Sequence, residues 1–183
     1  MFKKVLVPLD GSELAQAVLP YVEELGRQCA AEAILLRVIP LPGDDAGAVY
    51  QSLKVYEPMA PAPKLVEDMA VAQHPIYREQ EMASLQAQAE QSLAGAREQL
   101  SKAGLQVRIQ ILFGRPAEKI VEYARKEEVT LIAMATHGRG GLRRWVFGSV
   151  AEKVLRAVAI PILLIRPPGA DKLIRFPGVE LEL

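Results

Sequence analysis

Between Ala135 and Ser149 the chain sets Gly138, Gly140, Gly141 and Gly148 among Arg139, Arg143 and Arg144. Glycines there permit positive φ and let a ligand come close to the main chain. A helix opening at Gly148-Ser149 would offer free N–H groups and the positive end of its dipole to an anion such as a phosphate. The same residues have a plainer use. Glu152 follows Ser149 by three residues, the spacing of a capping box, and the arginines would keep a turning loop solvated. Both readings stand on local grounds. The segment is not a P-loop, because no Gly-Lys-Ser/Thr follows, and Arg143 occupies the place of the third glycine in G-x-G-x-x-G. Asp10 poses a similar choice. Three residues before Glu13 it could cap a first helix, or its carboxylate could accept a hydrogen bond from an exocyclic amine at a strand end.

Other reactive groups are sparse. Ser12, Ser149, His137 and Asp10 supply the residue types of a hydrolase triad, yet no G-x-S-x-G elbow is present. His74, His137 and the single Cys29 have no metal-ligand spacing. No catalytic residue and no resident metal are therefore assigned. Magnesium or manganese would arrive bridging nucleotide phosphates. Trp145 and Phe147 read as core or dimer surface.

The elements around these residues follow from hydropathy. "KKVLVPLD", "AEAILLRVIP", "LQVRIQILFG", "VTLIAMA" and "IPILLIRP" are apolar runs of the kind buried on both faces of a parallel sheet. Helical spacing runs from Glu13 to Arg27, then from about Tyr77 through Met82, Leu85, Ala89, Leu93, Ala96 and Leu100 to a stop at Gly104. Pro116 opens a third helix, and "SVAEKVLRAV" is a fourth. Residues 40–78, rich in proline, glycine and alanine, form an insert whose composition favours a mobile segment, with 42–75 the most mobile part. The tail alternates Val179, Leu181 and Leu183 with Glu180 and Glu182, a possible short strand. This order predicts an open α/β sheet with helices on both faces, linked by right-handed crossovers. Ligands bind such sheets beyond the carboxyl ends of the strands, where the strand order reverses.

Lysine plus arginine balances aspartate plus glutamate at 22 each, which leaves no overall footprint for nucleic acid. One cysteine excludes an internal disulfide and suits a reducing compartment. No apolar run is long enough to span a bilayer, and Pro8 and Asp10 break the opening run where a secretory core would continue. The expectation is a cytoplasmic protein without a membrane partner.

"VLVPLDGSE", "ILLRVIP" and "MATHGRGGLRRWVFGSVAEKVLRAVAIPILLIRP" together resemble the universal stress protein family. The resemblance spans most of the chain except residues 40–78 and the tail after Arg166. It implies a Rossmann-like, five-stranded parallel sheet of order 3-2-1-4-5, one domain over 1–167 with a tail at 168–183, and a homodimer. The ATP-binding branch of that family carries G-x-x-G-x9-G-S/T. Gly138, nine residues and Gly148-Ser149 match it, with Ala135 in place of the first glycine. By this likeness Asp10 would bind adenine and the main chain of Val38 its other edge, with Pro8 and Leu9 in the pocket wall. Met134 would flank the base and Ala135 the ribose. Gly138, Gly148, Ser149 and the N–H of Val150 would hold the phosphates, with Arg139 nearby. The implied function is an ATP-binding stress-response or regulatory protein, dimeric through the edge from Ile160 to Ile165. Two alternatives remain: a slow ATPase or phosphotransfer enzyme, and a dimeric interaction protein that binds no nucleotide.

Overall fold

Every one of the apolar runs becomes a strand, and each is shorter than its run. The computed structural model describes residues 2–41, 75–136 and 148–166. The strands are β1 (Lys4–Pro8), β2 (Glu32–Ile39), β3 (Gln106–Phe113), β4 (Leu131–Ala135) and β5 (Ile162–Ile165). They form one parallel sheet of order β3-β2-β1-β4-β5. Alternation along each strand assigns side chains to two cores. Val5, Val7, Ala33, Leu35, Leu131 and Ala133 enter one, and Leu6, Ile34, Leu36, Ile132 and Met134 the other. A strand buried on both sides must be apolar at nearly every position, which is why these segments read as unbroken runs.

The first core is covered by helices α1 (Glu13–Gln16), α2 (Leu19–Cys29) and α3 (Pro75–Lys102); the second by α4 (Pro116–Lys126) and α5 (Ser149–Ala157). The single helix expected from Glu13 to Arg27 is two helices. Pro20 lacks an N–H, and its ring would collide with the carbonyl of Gln16 in a continuous helix, so the chain restarts with Pro20 in the first turn of α2.

α3 begins two residues before the expected start and ends where Gly104 predicts. Gly104, at φ +88°, donates to Ser101 O at 3.0 Å, and Leu105 N–H donates to Leu100 O at 3.1 Å. Those two bonds are a Schellman motif, closed by the buried pair Leu100 and Leu105. Ala89, Leu93, Ala96 and Leu100 are the buried stripe of α3.

The amino end of the sheet is tied by polar groups. Arg108 on β3 meets Glu127 at 2.9 Å and Glu32 at 3.2 Å, while Lys4 Nζ donates to Glu127 O at 2.8 Å. The hydrogen bond from Arg108 holds the Glu127 carboxyl below its ordinary value, and burial pushes the Tyr123 phenol up. Residues 42–74 of the insert and the tail from residue 167 with its expected strand lie outside the described residues.

Candidate functional site

Helices reach the sheet from opposite faces after β1 and after β4, so the strand order reverses between these two neighbours. The register between them pairs Val5 with Leu131 and Leu6 with Ile132. Pro8, half-buried at the end of β1, has no N–H with which to extend the ladder. Beyond it lie the carboxyl ends of the two strands, the place at which open α/β sheets hold ligands.

β2 forms one wall. Its pairing with β1 ends at Pro8 and Leu36, after which Leu9 N–H donates to Leu36 O at 2.9 Å. Ile39 O points the other way and accepts from Gly114 N–H at 2.9 Å on the β3 side. Peptide groups alternate along a strand, so the N–H and C=O of Val38 face the same side as those of Leu36, beyond the end of β1. Val38 therefore turns a donor and an acceptor toward the space beyond the end of β1. Its side chain packs on the second core.

The β1 loop carries Asp10. Its Oδ1 accepts from Ser12 N–H at 2.9 Å and from Ser12 Oγ–H at 2.6 Å, and Ser12 Oγ accepts from Ala15 N–H at 3.1 Å. The cap of α1 is thus Ser12, in extended conformation at φ −85°, ψ 152°. Asp10 as the helix cap is overturned: Gly11, at φ +77°, turns the chain so that Ser12 meets the helix and Asp10 braces Ser12. Leu9 is buried in the first core.

The β4 side supplies the helix terminus. Met134 is buried in the second core, and Ala135, half-buried, stands in register with Ile165. Thr136 is buried, donates its N–H to Ile165 O at 2.9 Å and accepts Gly148 N–H at 2.5 Å. This second bond holds Thr136 and Gly148, which flank residues 137–147, beside each other. Gly148 is the N-cap of α5, at φ −65°, ψ 150°, and its C=O accepts from Glu152 N–H at 2.9 Å. The capping box expected at Ser149 does not form. Because Gly148 takes the cap position, Ser149 is the first helical residue and is exposed. Gly148 has no side chain with which to cap the helix, and the N–H groups of Ser149, Val150 and Ala151 have no intrahelical acceptor. Glu152 instead pairs with Arg156 at 3.1 Å.

The structure thus brings Pro8, Asp10, Val38 and Ala135 to one end of the sheet with the start of α5 at Gly148, Ser149 and Val150. Gly138 and Arg139, with His137, Arg143, Arg144, Trp145 and Phe147, lie outside the described residues. Two residues at this end were missed in sequence. Thr136 is signalled only as the first polar residue after an apolar strand. Arg37 is signalled as the one charge inside "ILLRVIP", and its guanidinium lies against Gly11. Among the described residues no group of three or more His, Cys, Asp or Glu could hold a metal, and no helix is long and apolar enough to cross a membrane.

A family model described as the universal stress protein family matches residues 1–166. The chain belongs to the universal stress protein family. Universal stress protein MJ0577 of Methanocaldococcus jannaschii is 30% identical over 91% of this chain and 96% of its own length. A solved structure of MJ0577 superposes with a TM-score of 0.68 at 27% identity, covering 91% of this chain and 96% of that one. More distant universal stress proteins share the fold. One was solved with cAMP (TM-score 0.56, 15% identity, 91% and 98% coverage) and one from Archaeoglobus fulgidus with dAMP (0.52, 20%, 90% and 97%).

Proposed function

We propose that this universal stress protein binds an adenine nucleotide, ATP, across the carboxyl ends of β1 and β4, and acts through binding rather than turnover. The observation that carries this reading is the pairing of two unlike anchors at one switch point. One is a main-chain donor and acceptor at Val38, at the same end of the sheet as the Asp10 carboxylate, suited to the edge of a base. The other is the start of α5, whose N-cap Gly148 offers no side chain to its first N–H groups, suited to phosphate. The complexes of distant relatives with cAMP and dAMP support an adenine nucleotide as the class of ligand. Pro8 and Leu9 would wall the base, Met134 and Ala135 would lie by the base and ribose, and Gly138, Arg139, Gly148, Ser149 and Val150 would face the phosphates. Oδ1 of Asp10 is already engaged by Ser12, which suits holding a ligand rather than abstracting a proton. A divalent cation would come with the phosphates.

The working unit in this reading is a cytoplasmic homodimer of a domain over 1–167 with a tail at 168–183. β5 is an outer strand with Ile162, Leu163 and Leu164 half-exposed, an apolar edge that needs a cover. A ligand that ties the β4 loop to β1 and β2 would shift any equilibrium in which one state holds it better.

Calorimetry on nucleotide-stripped protein tests the binding. ATP should bind, Asp10→Ala should narrow the preference for adenine over guanine nucleotides, and Gly148→Val should block the phosphates. Absence of ATP and ADP binding by the wild type would end the reading and direct attention to the methyl group of Ala135.

A further inference from the structure

Asp10 is the one charged side chain assigned to the base, and its presentation depends on the turn that joins the end of β1 to Ser12, the cap of α1. Oδ1 accepts both bonds from Ser12, and the intervening Gly11 is in the left-handed region at φ +77°. Against that glycine lies Arg37. A β-carbon on Gly11 would run into Nη1 and would sit 3.0 Å from Cζ and 3.3 Å from Nη2, so the guanidinium rests directly on the turn. Nη1 is shielded from solvent there.

Alternation on β2 fixes which face this is. Ala33 and Leu35 enter the first core, whereas Val38 packs on the second, so Arg37 projects to the face of α1 and α2. The start of α5 belongs to the opposite face. Arg37 therefore stands behind the Asp10 turn and across the sheet from the proposed phosphate anchor. A planar cation over Gly11 supports the turn sterically.

We propose that Arg37 is a positioning residue for base recognition: it holds the Asp10–Ser12 turn so that the carboxylate is presented to the base. The inference rests on the nucleotide reading for its ligand, but its mechanical half can be measured without one.

The first measurement is amide hydrogen exchange of ligand-free protein. Arg37→Met should lower protection of the Ser12 amide by about tenfold, the scale of losing support for one charged hydrogen bond, while the Leu9 amide keeps its protection. Arg37→Lys, which retains charge without the planar fork, should fall between. Gly11→Ala, which drives the guanidinium off the turn, should resemble Arg37→Met and guards against a single variant that fails to fold. Unchanged protection of Ser12 in Arg37→Met would overturn the proposal whether or not any nucleotide binds. The second measurement compares adenosine with ATP by calorimetry. Arg37→Met should weaken both by the same factor, about tenfold. A loss confined to ATP would also overturn the proposal, since it would make Arg37 a phosphate contact. Failure of the wild type to bind either ligand would refute the nucleotide reading, and with it the base as the object of positioning, while the exchange data would still judge the turn.

Discussion

Replacing Ser149 by alanine separates two roles that the same hydroxyl could have had. Were Ser149 the helix cap, its loss would cost about 1 kcal/mol. For a protein of this size that lowers the melting temperature by roughly 2–4 °C. The structure removes this confusion, because Gly148 holds the cap position and Ser149 is an exposed first helical residue. Alanine is at least as good a helix former there, so stability should stay within about 0.5 kcal/mol of wild type. Affinity should behave differently. A hydroxyl hydrogen-bonded to a phosphate is a charge-assisted contact worth about 1.5–3 kcal/mol, hence roughly tenfold or more in the dissociation constant. Ser12→Ala is the matched control. It removes a real cap, whose Oγ accepts from Ala15 N–H at 3.1 Å, and should lower the melting temperature by the amount that Ser149→Ala spares. Differential scanning calorimetry and ATP titration on both variants make the comparison. Melting of Ser149→Ala several degrees below wild type would refute the assignment of the cap. Unchanged melting together with unchanged ATP affinity would refute the phosphate contact.

Leu6, with no exposed surface, packs between the sheet and the helices of the second face, so Leu6→Ala should cost about 2–5 kcal/mol and unfold at markedly lower denaturant. The Glu127 carboxyl, held below its ordinary 4.5 by Arg108, contributes stability above that value and loses it as pH falls through the lowered one. Thermal melts carried from neutral to about pH 3 should therefore decline more steeply for wild type than for Glu127→Gln, and parallel curves would dismiss the contribution. Leu164→Lys, on the half-exposed β5 edge, should convert a dimer to a monomer in light scattering at micromolar concentration, and a wild-type monomer would remove the β5 edge from consideration.

The parallel sheet was legible because a strand covered on both faces leaves a run of apolar residues that few other structures require. The break between α1 and α2 was less so. Leu14, Val18, Val22 and Leu25 keep helical spacing across it, and only the stereochemistry of Pro20 reveals that the backbone cannot be continuous. Caps were the weakest inference. Asp10 and Ser149 both sit three residues before a glutamate, yet local φ and ψ hand the caps to Ser12 and Gly148. The same shift of one or two residues changes what Asp10 and Ser149 are available to do. Arg37 could not be placed from sequence at all, since its contact with Gly11 depends on how far β2 outruns β1.

The bond from Gly148 N–H to Thr136 O has a consequence for how this protein can diversify. It fixes the two ends of residues 137–147 beside each other, independently of what lies between them. Closing a loop costs only about 0.6 kcal/mol more for each doubling of its length, so the clasp tolerates a wide range of intervening segments. A segment from a relative, cut at Thr136 and Gly148, would meet two ends that are already held together.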